Sequence, residues 1–414
     1  RGLDFKKLVI LSVNEGILPS KPSVNSFIPY NLRKAFKLPT QEDKDAIYAY
    51  HFYRLIQRAS DITLIYNTEN DSFGSGEKSR FISQLETELP ARNPDLQLIQ
   101  ETLTFPSAKV PLIPVAVPKT QELLDKLQLF ATEKGFAPST LSTYLNCSLQ
   151  FYLKHILRLY EKDEPEETME DNTFGTVLHG VMEKLYEPFV GKMVQVSDIE
   201  AMDAQVKPIV EEVFRAVTRT ENFRFGKNHL LLGVIRNLVK LVLDLDRADA
   251  PFAMQGLEME IETQLKTLRQ PAGVKLRGYL DRVDLVDGLA RIIDYKTGKE
   301  RRVELKDFAE IRDGTEKREA FQLSFYSYLY LRNQEKDAEV RTGIYFMRNL
   351  SKGLQFLTIG PTKANELDLR SLEDFEAELV MLLDEIFDKE TPFSQTEEAD
   401  RCRFCSYKVI CTRS

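Results

Sequence analysis

The chain has 414 residues, 43% of them hydrophobic and 29% charged, with a formal net charge of −8. These are the proportions of a soluble globular protein of two or three domains. No run of about eighteen apolar residues exists to span a membrane as a helix. There is no signal peptide, the first residue is Arg1 rather than Met, as in a fragment or processed chain, and a cytoplasmic location is expected. The acidic balance speaks against nucleic acid only as a whole-chain average, because binding surfaces are local.

In chain order, residues 6–13 (KKLVILSV) read as a buried strand, and 46–59 (AIYAYHFYRLIQRA) as a helix with aromatic and aliphatic side chains on one face. Residues 61–67 (DITLIYN) are a second buried strand, giving an α/β unit too small to be a complete domain. Prolines at 90, 94, 106, 111, 114 and 118 mark an extended connection and a boundary between domains at 1–118 and 119–414. Helices follow at 120–134 and 138–158. The stretch 161–171, with seven acids against one lysine, is expected to be a solvated loop. Helices dominate 173–248, and strands then crowd together at 256–265, 274–286 and 289–297, the last two joined by the tight-turn pair Asp287-Gly288. A helix at 316–332, strands at 341–348 and 354–359, and a helix at 365–388 complete an α/β pattern without internal repeats.

Asp281 lies near the end of the second of those three strands and Asp294 near the end of the third. Hairpin pairing makes the strands neighbours, so both carboxylates can converge on one edge. Alternation gives Asp294 and Lys296 a shared face and turns Tyr295 into the core. Two hard carboxylate ligands with open water positions suit Mg²⁺ or Mn²⁺. A lysine beside them can orient or deprotonate an attacking water and stabilise charge developing on a phosphoryl group. A surface ion pair on a hairpin is the competing account of so short a pattern. Glu258, Glu260 and Glu262 alternate along one strand face; one of them can add a carboxylate, but a solvated face is the expectation for all three.

With GYLD at 278–281 and DYK at 294–296, the sequence resembles the RecB-like branch of the PD-(D/E)xK nucleases, in which a Gly-x-x-Asp strand precedes an Asp-Tyr-Lys strand. GTVLHGVMEKLY (175–186) is similar to that branch's Gly-x-x-x-His helix, which implies His179 as a metal ligand with Asp281 and Asp294. Gln322 and Tyr326, in FQLSFYSYLY (321–330), resemble its Gln-x-x-x-Tyr motif, implied to face DNA near the cleft; read alone, the segment also fits an aromatic core face. The resemblance implies a restriction-endonuclease-like α/β core with extra helices and Mg²⁺-dependent DNA cleavage, exonucleolytic on single strands fed by a helicase, in double-strand-break processing. The rival reading is a non-catalytic module that holds DNA or a partner.

Cys402, Cys405 and Cys411 form C-x2-C-x5-C, and Cys147 stands far upstream. Four cysteines with none left over favour one four-thiolate metal site over disulfides. Zinc and an iron–sulfur cluster both satisfy four thiolates, and spacing alone favours zinc. One cysteine before the nuclease core and C-x2-C-x5-C after it resemble the [4Fe–4S] nuclease domain of the AddB-like component of AddAB-type helicase–nucleases. STYLNCSLQFYLKHILRL (142–159) looks like the first segment of that domain, with Cys147-Ser148 where Cys-Pro is usual. This implies a structural cluster stapling the first helix to the last residues, and an AddA-like partner. Residues 1–19 and 52–66 resemble motifs V and VI of superfamily 1 helicases, with Arg58 where an ATP-contacting arginine lies and Gln57 replacing the usual Thr. No G-x-x-x-x-G-K-[ST] occurs, so no ATP hydrolysis is expected. The run 296–306, with five basic residues and two acids, and the set Arg224, Lys227, Arg236, Lys240 and Arg247 are candidate phosphate contacts, largely sequence-independent.

Overall fold

Strand β1 (Lys7–Ile10) pairs in parallel with β2 (Asp61–Leu64), and α1 (Tyr30–Ala35) and α2 (Gln41–Ile56) lie between them in sequence, followed by α3 (Arg80–Arg92). These elements form the first of two units, 1–109 and 110–414. The computed structural model describes residues 3–20, 28–68, 76–104, 114–160, 169–219, 223, 225–313, 316–335 and 337–413. The first unit is α/β as expected, but its two strands and its helix face are not buried. Val9 and Leu11 are 61% and 65% exposed, Ile47 and Tyr50 are exposed on α2, and the fully buried apolar set is Val13, Phe52, Phe81 and Ile82. A two-stranded sheet offers too little surface to cover both faces. Arg58 and Arg54 both pair with Asp4, each at 2.7 Å, and the Arg58 side chain stays largely exposed. Pro90 lies inside α3 rather than in an extended connection.

The second unit runs β3 (Ala116–Val117), α4 (Gln121–Leu129), α5 (Pro138–Asn146), α6 (Ser148–Phe151), α7 (Asp171–Tyr186), β4 (Met193–Val194), α8 (Val196–Thr218), α9 (Gly226–Asp249), β5 (Phe252–Leu265), β6 (Val274–Val286) and β7 (Leu289–Lys296). It continues with β8 (Glu304–Leu305), α10 (Arg318–Arg332), β9 (Val340–Phe346), β10 (Gln355–Phe356), β11 (Thr358–Ile359), α11 (Glu373–Phe387) and β12 (Phe393–Ser394). A mixed sheet in the order β10-β9-β7-β6-β5-β4 organises it, parallel at β7/β9 and antiparallel elsewhere. Asp287 and Gly288 both take positive φ, 51° and 85°, the backbone of the tight hairpin turn that fixes β6 against β7.

Each face of the sheet carries a core. One joins α4–α6, α10 and α11; the other joins α7–α9. Ile292 enters the first, Ile293 and Tyr295 the second, which is why β7 is apolar without alternation. Between the sheet and α9 lies a buried charge network. The Arg282 guanidinium, with no exposed surface, donates to Asp246 (2.6 Å) and Asp284 (2.7 Å) and stacks on Tyr186 and Phe252. Arg291 also donates to Asp284, at 2.8 Å, and pairs with Asp249.

Several boundaries differ from expectation. The helix expected over 138–158 breaks at Cys147, whose extended backbone (φ −164°, ψ 115°) separates α5 from α6. The strand expected at 354–359 is two short pieces, β10 and β11, and the last helix starts at Glu373 rather than 365. The acid-rich segment 161–168, Pro106, Pro111, Arg1 and Arg224 lie outside the described residues. The α9 basic set is partly neutralised, Lys240 by Asp203 and Arg247 by Asp244. Replacing Arg282 by Met leaves two buried carboxylates short of a partner and is expected to destabilise the second unit by about 3–5 kcal/mol in denaturant titration; a loss below about 1 kcal/mol contradicts the role given to the network.

Candidate active site

His179, Glu258 and Asp281 bring one ligand atom each to within 4.8 Å of one another. His179 projects from the middle of α7. Its Nε2 lies 2.8 Å from the Tyr295 carbonyl, so that nitrogen carries the proton and donates it. The Nδ1 lone pair is then left facing Asp281 Oδ2 at 3.3 Å and Glu258 Oε1 at 4.0 Å. Gly175, one turn earlier on α7, lies against the end of β7, where a Cβ would make an ordinary 3.4 Å contact with Thr297 Oγ1.

The glutamate in this cluster has no distinguishing mark in the sequence. Glu258, Glu260 and Glu262 are expected to share one solvated strand face. Instead Leu257 packs in the α7–α9 core while Met259 and Ile261 pack in the opposite one, so β5 changes facing at Glu258, which takes a left-handed backbone (φ 44°). The ladder pairs Leu257 with Arg282 and Met259 with Leu280, leaving Glu258 and Asp281 between them without paired partners. Glu260 instead accepts from the Tyr279 hydroxyl, and Glu262 pairs with Lys275. Choosing among the three requires the β5–β6 register, which the intervening loop conceals.

Asp294 stands beside this cluster rather than within it. It is 1% exposed; Lys296 Nζ lies 2.9 Å from its Oδ2, and Gln322 Nε2 donates to Oδ1 at 2.9 Å. The same Gln322 amide donates to the Tyr326 oxygen at 2.9 Å. Gly278 makes room for this arrangement, since a Cβ there would sit 3.0 Å from both Tyr326 and Leu329. Tyr295 points into the core, as expected, while its backbone N–H donates to Asp281 at 2.9 Å.

The electrostatics are those of a cation site. Burial, then the neighbouring Asp294, pushes the Asp281 carboxyl well above its ordinary range. Burial, then Glu183 and Asp294, raises Glu258, and burial lowers His179. Burial disfavours the Lys296 ammonium too, but Asp294 and Asp281 outweigh it and hold its pKa above the usual value. Three acceptors thus face one another, each shifted toward its neutral form, in a donor set of two carboxylates and an imidazole that fits a divalent ion.

The four cysteines all line one recess, with Asn146, Gln150, Leu153, Gln395, Arg401 and Tyr407 among its other walls. The break at Cys147 turns that residue toward the chain end. Ser148 and Arg401 reinforce the junction through hydrogen bonds to Ser394 and to the Leu145 carbonyl. No three of the sulfurs fall within 4.8 Å of one another among the described residues.

The folded pKa of Asp281 lies above its unfolded value, so its contribution to stability is fully present at acid pH and lost as pH rises through the folded value. Asp281→Asn is therefore expected to raise the melting temperature of the metal-free protein by a few degrees at pH 8 and to leave it nearly unchanged near pH 4. Scanning calorimetry at the two pH values checks this; an equal shift at both contradicts the penalty on the carboxylate.

Among the described residues no helix is long and apolar enough to cross a membrane. The B component of the ATP-dependent helicase/deoxyribonuclease of Streptococcus agalactiae is 23% identical over 164 residues, 39% of this chain and 14% of the relative. Its counterpart of the same description from Carboxydothermus hydrogenoformans is 28% identical over 196 residues, 42% of this chain and 17% of the relative. The chain thus spans about a sixth of the length of these curated relatives. The profile of the PD-(D/E)XK nuclease superfamily matches residues 135–412, which contain the histidine, the carboxylates, the lysine and all four cysteines described above, and the chain belongs to that superfamily.

Proposed function

We propose that this chain is a divalent-metal-dependent deoxyribonuclease. The observation that carries the reading is the juxtaposition of two groups: the His179, Glu258 and Asp281 cluster, and the adjoining Asp294–Lys296 pair. His179, Glu258 and Asp281 would hold the ion, with Asp294 adding negative charge beside it. When bound, such an ion supplies Lewis-acid polarisation and a lowered pKa for water. The chain's own residues do the rest. Lys296, kept protonated by Asp294, donates to the attacked phosphoryl oxygens and positions the incoming water. Gln322 fixes the Asp294 carboxylate and ties it to Tyr326, at the wall of the cleft where a strand would lie. Likeness to the B components of ATP-dependent helicase/deoxyribonucleases supports DNA cleavage in company with a helicase. The motif resemblance adds an exonuclease acting on single strands fed by an AddA-like partner in double-strand-break repair, with residues 1–118 as a helicase-type module from which no ATP hydrolysis is expected.

The cysteine recess is read as a structural metal site. Zinc at about 2.3 Å from each sulfur draws the sulfurs to about 3.8 Å from one another. Four thiols in one recess fit zinc and the larger [4Fe–4S] cluster alike, and the resemblance of the cysteine spacing to AddB-like nuclease domains favours the cluster. Burial raises the Cys405 and Cys411 thiols, so a bound cation is needed to hold them as thiolates. Substituting any one of the four by Ala is expected to lower the melting temperature and release the bound metal. Iron and sulfide on elemental analysis support the cluster, zinc identifies the mononuclear alternative, and an unchanged melting temperature overturns the staple.

The activity is tested on end-labelled linear single-stranded DNA with Mg²⁺ and no ATP. Lys296→Ala is expected to slow cleavage by about a hundredfold or more, while chelation abolishes it in the parent. Equal rates in parent and variant overturn the assignment of Lys296.

A further inference from the structure

Between α5, β6 and α10, a cleft of about 200 Å³ opens beside Lys296. Its walls carry no carboxylate, although the chain as a whole is acidic. Beyond the residues already assigned, it presents Ser139 and Ser142 from α5, Tyr279 from β6 and Arg318 from α10. Arg318 is exposed and has no ion-pair or hydrogen-bond partner among the described residues. Ser142 is only 6% exposed, yet its hydroxyl makes no hydrogen bond among the described residues. The serines of α10 differ, since Ser324 and Ser327 return theirs to carbonyls four residues back. The Ser142 oxygen is not among the buried polar atoms without a partner, so the hydroxyl reaches solvent at the cleft and is available to a ligand there. The amino end of α5 adds to it. The first turn has no acid and no side-chain cap, Thr140 and Leu141 both turn their N–H groups back to the Ala137 carbonyl, and the Ser139 N–H stays open.

Guanidinium, hydroxyl and helix amino end together are the chemistry that recognises a phosphate. Tyr279 adds an aromatic face. Its ring is 45% exposed, and the hydroxyl is anchored 2.8 Å from Glu260, which holds the ring in place. We propose that this cleft is a nucleotide subsite of the cleavage centre: Arg318, Ser142 and the amino end of α5 hold the phosphodiester next to the one being cut, and Tyr279 stacks on its base. The proposal rests on the nuclease reading above and gives its single-strand preference a physical basis, because a duplex keeps its bases paired and away from Tyr279.

The test uses the full chain and a labelled oligothymidylate. Binding is followed by anisotropy in EDTA across a salt series, and cleavage of the same strand is measured separately in Mg²⁺. Arg318→Ala is expected to weaken binding about tenfold and to reduce the slope of log affinity against log salt by about 0.7, the share of one single-strand phosphate. Arg318→Lys restores the slope but not the full affinity, and Ser142→Ala weakens binding by a smaller factor. Tyr279→Ala costs about tenfold on the single strand and nothing on a blunt duplex. Melting temperatures equal to the parent's exclude unfolding as the cause. If the parent cuts while Arg318→Ala leaves slope and affinity unchanged, the subsite is wrong and the nuclease reading stands. If Arg318→Ala lowers the slope in a chain that never cuts, the cleft stands only as a phosphate-binding site for single strands, and the nuclease reading falls together with the subsite's place beside a cut. A parent that neither binds nor cuts removes both.

Discussion

A guanidinium without exposed surface has to be answered by carboxylates, and Arg282 finds them in Asp246 of α9 and Asp284 of its own strand. Taking these charges out of water is costly unless each is hydrogen-bonded, so the pairing dictates which way residue 282 faces. It faces α7–α9, against Tyr186 and Phe252, whereas Leu280 belongs to the core on the other side of the sheet. Regular alternation puts positions two apart on the same side. Strand β6 therefore has to change facing between 280 and 282, and the residue at which it does so is Asp281. Glu258 makes the same change on β5, in a backbone conformation that non-glycine residues rarely adopt. The convergence of Glu258 and Asp281 on His179 follows from a demand made close by in the strand, on the face of the sheet that packs against α9.

This dependence explains what the sequence disclosed. Two elements were readable from local chemistry: the Asp287-Gly288 hairpin, which needs only a turn type, and the shared face of Asp294 and Lys296 on β7, which needs only a two-residue period. The α7 histidine and the Gln322/Tyr326 pair were marked by the resemblance to RecB-like nucleases and not by their spacing alone. Glu258 was not readable, because the change of facing is enforced by a long-range ion pair to Asp246 and appears in no local pattern. The break at Cys147 was hidden for a related reason. Residues 138–158 have a helical pattern throughout, and the interruption coincides with packing against the distant segment around Ser394. In the first unit, apolar periodicity identified strand and helix types correctly but overstated their burial, since periodicity reports which face is apolar and not whether anything covers it.

The charge of the whole chain is a poor guide to this site because the site is divided. On one side of Lys296 lie three acceptors shifted toward their neutral forms by burial and by one another. On the other side lies a cleft whose walls carry cations, hydroxyls and a helix amino end, with no acid among them. Lys296 sits at the border, its ammonium held by Asp294 and open to the cleft. A net charge of −8 averages over both regions and describes neither. A polyanion in this cleft meets Lys296 and Arg318 with no carboxylate in the walls, and a bound divalent cation would offset the charge of Glu258 and Asp281 beside it. Local segregation at the end of β7, rather than overall composition, is what makes an acidic chain compatible with a phosphodiester substrate.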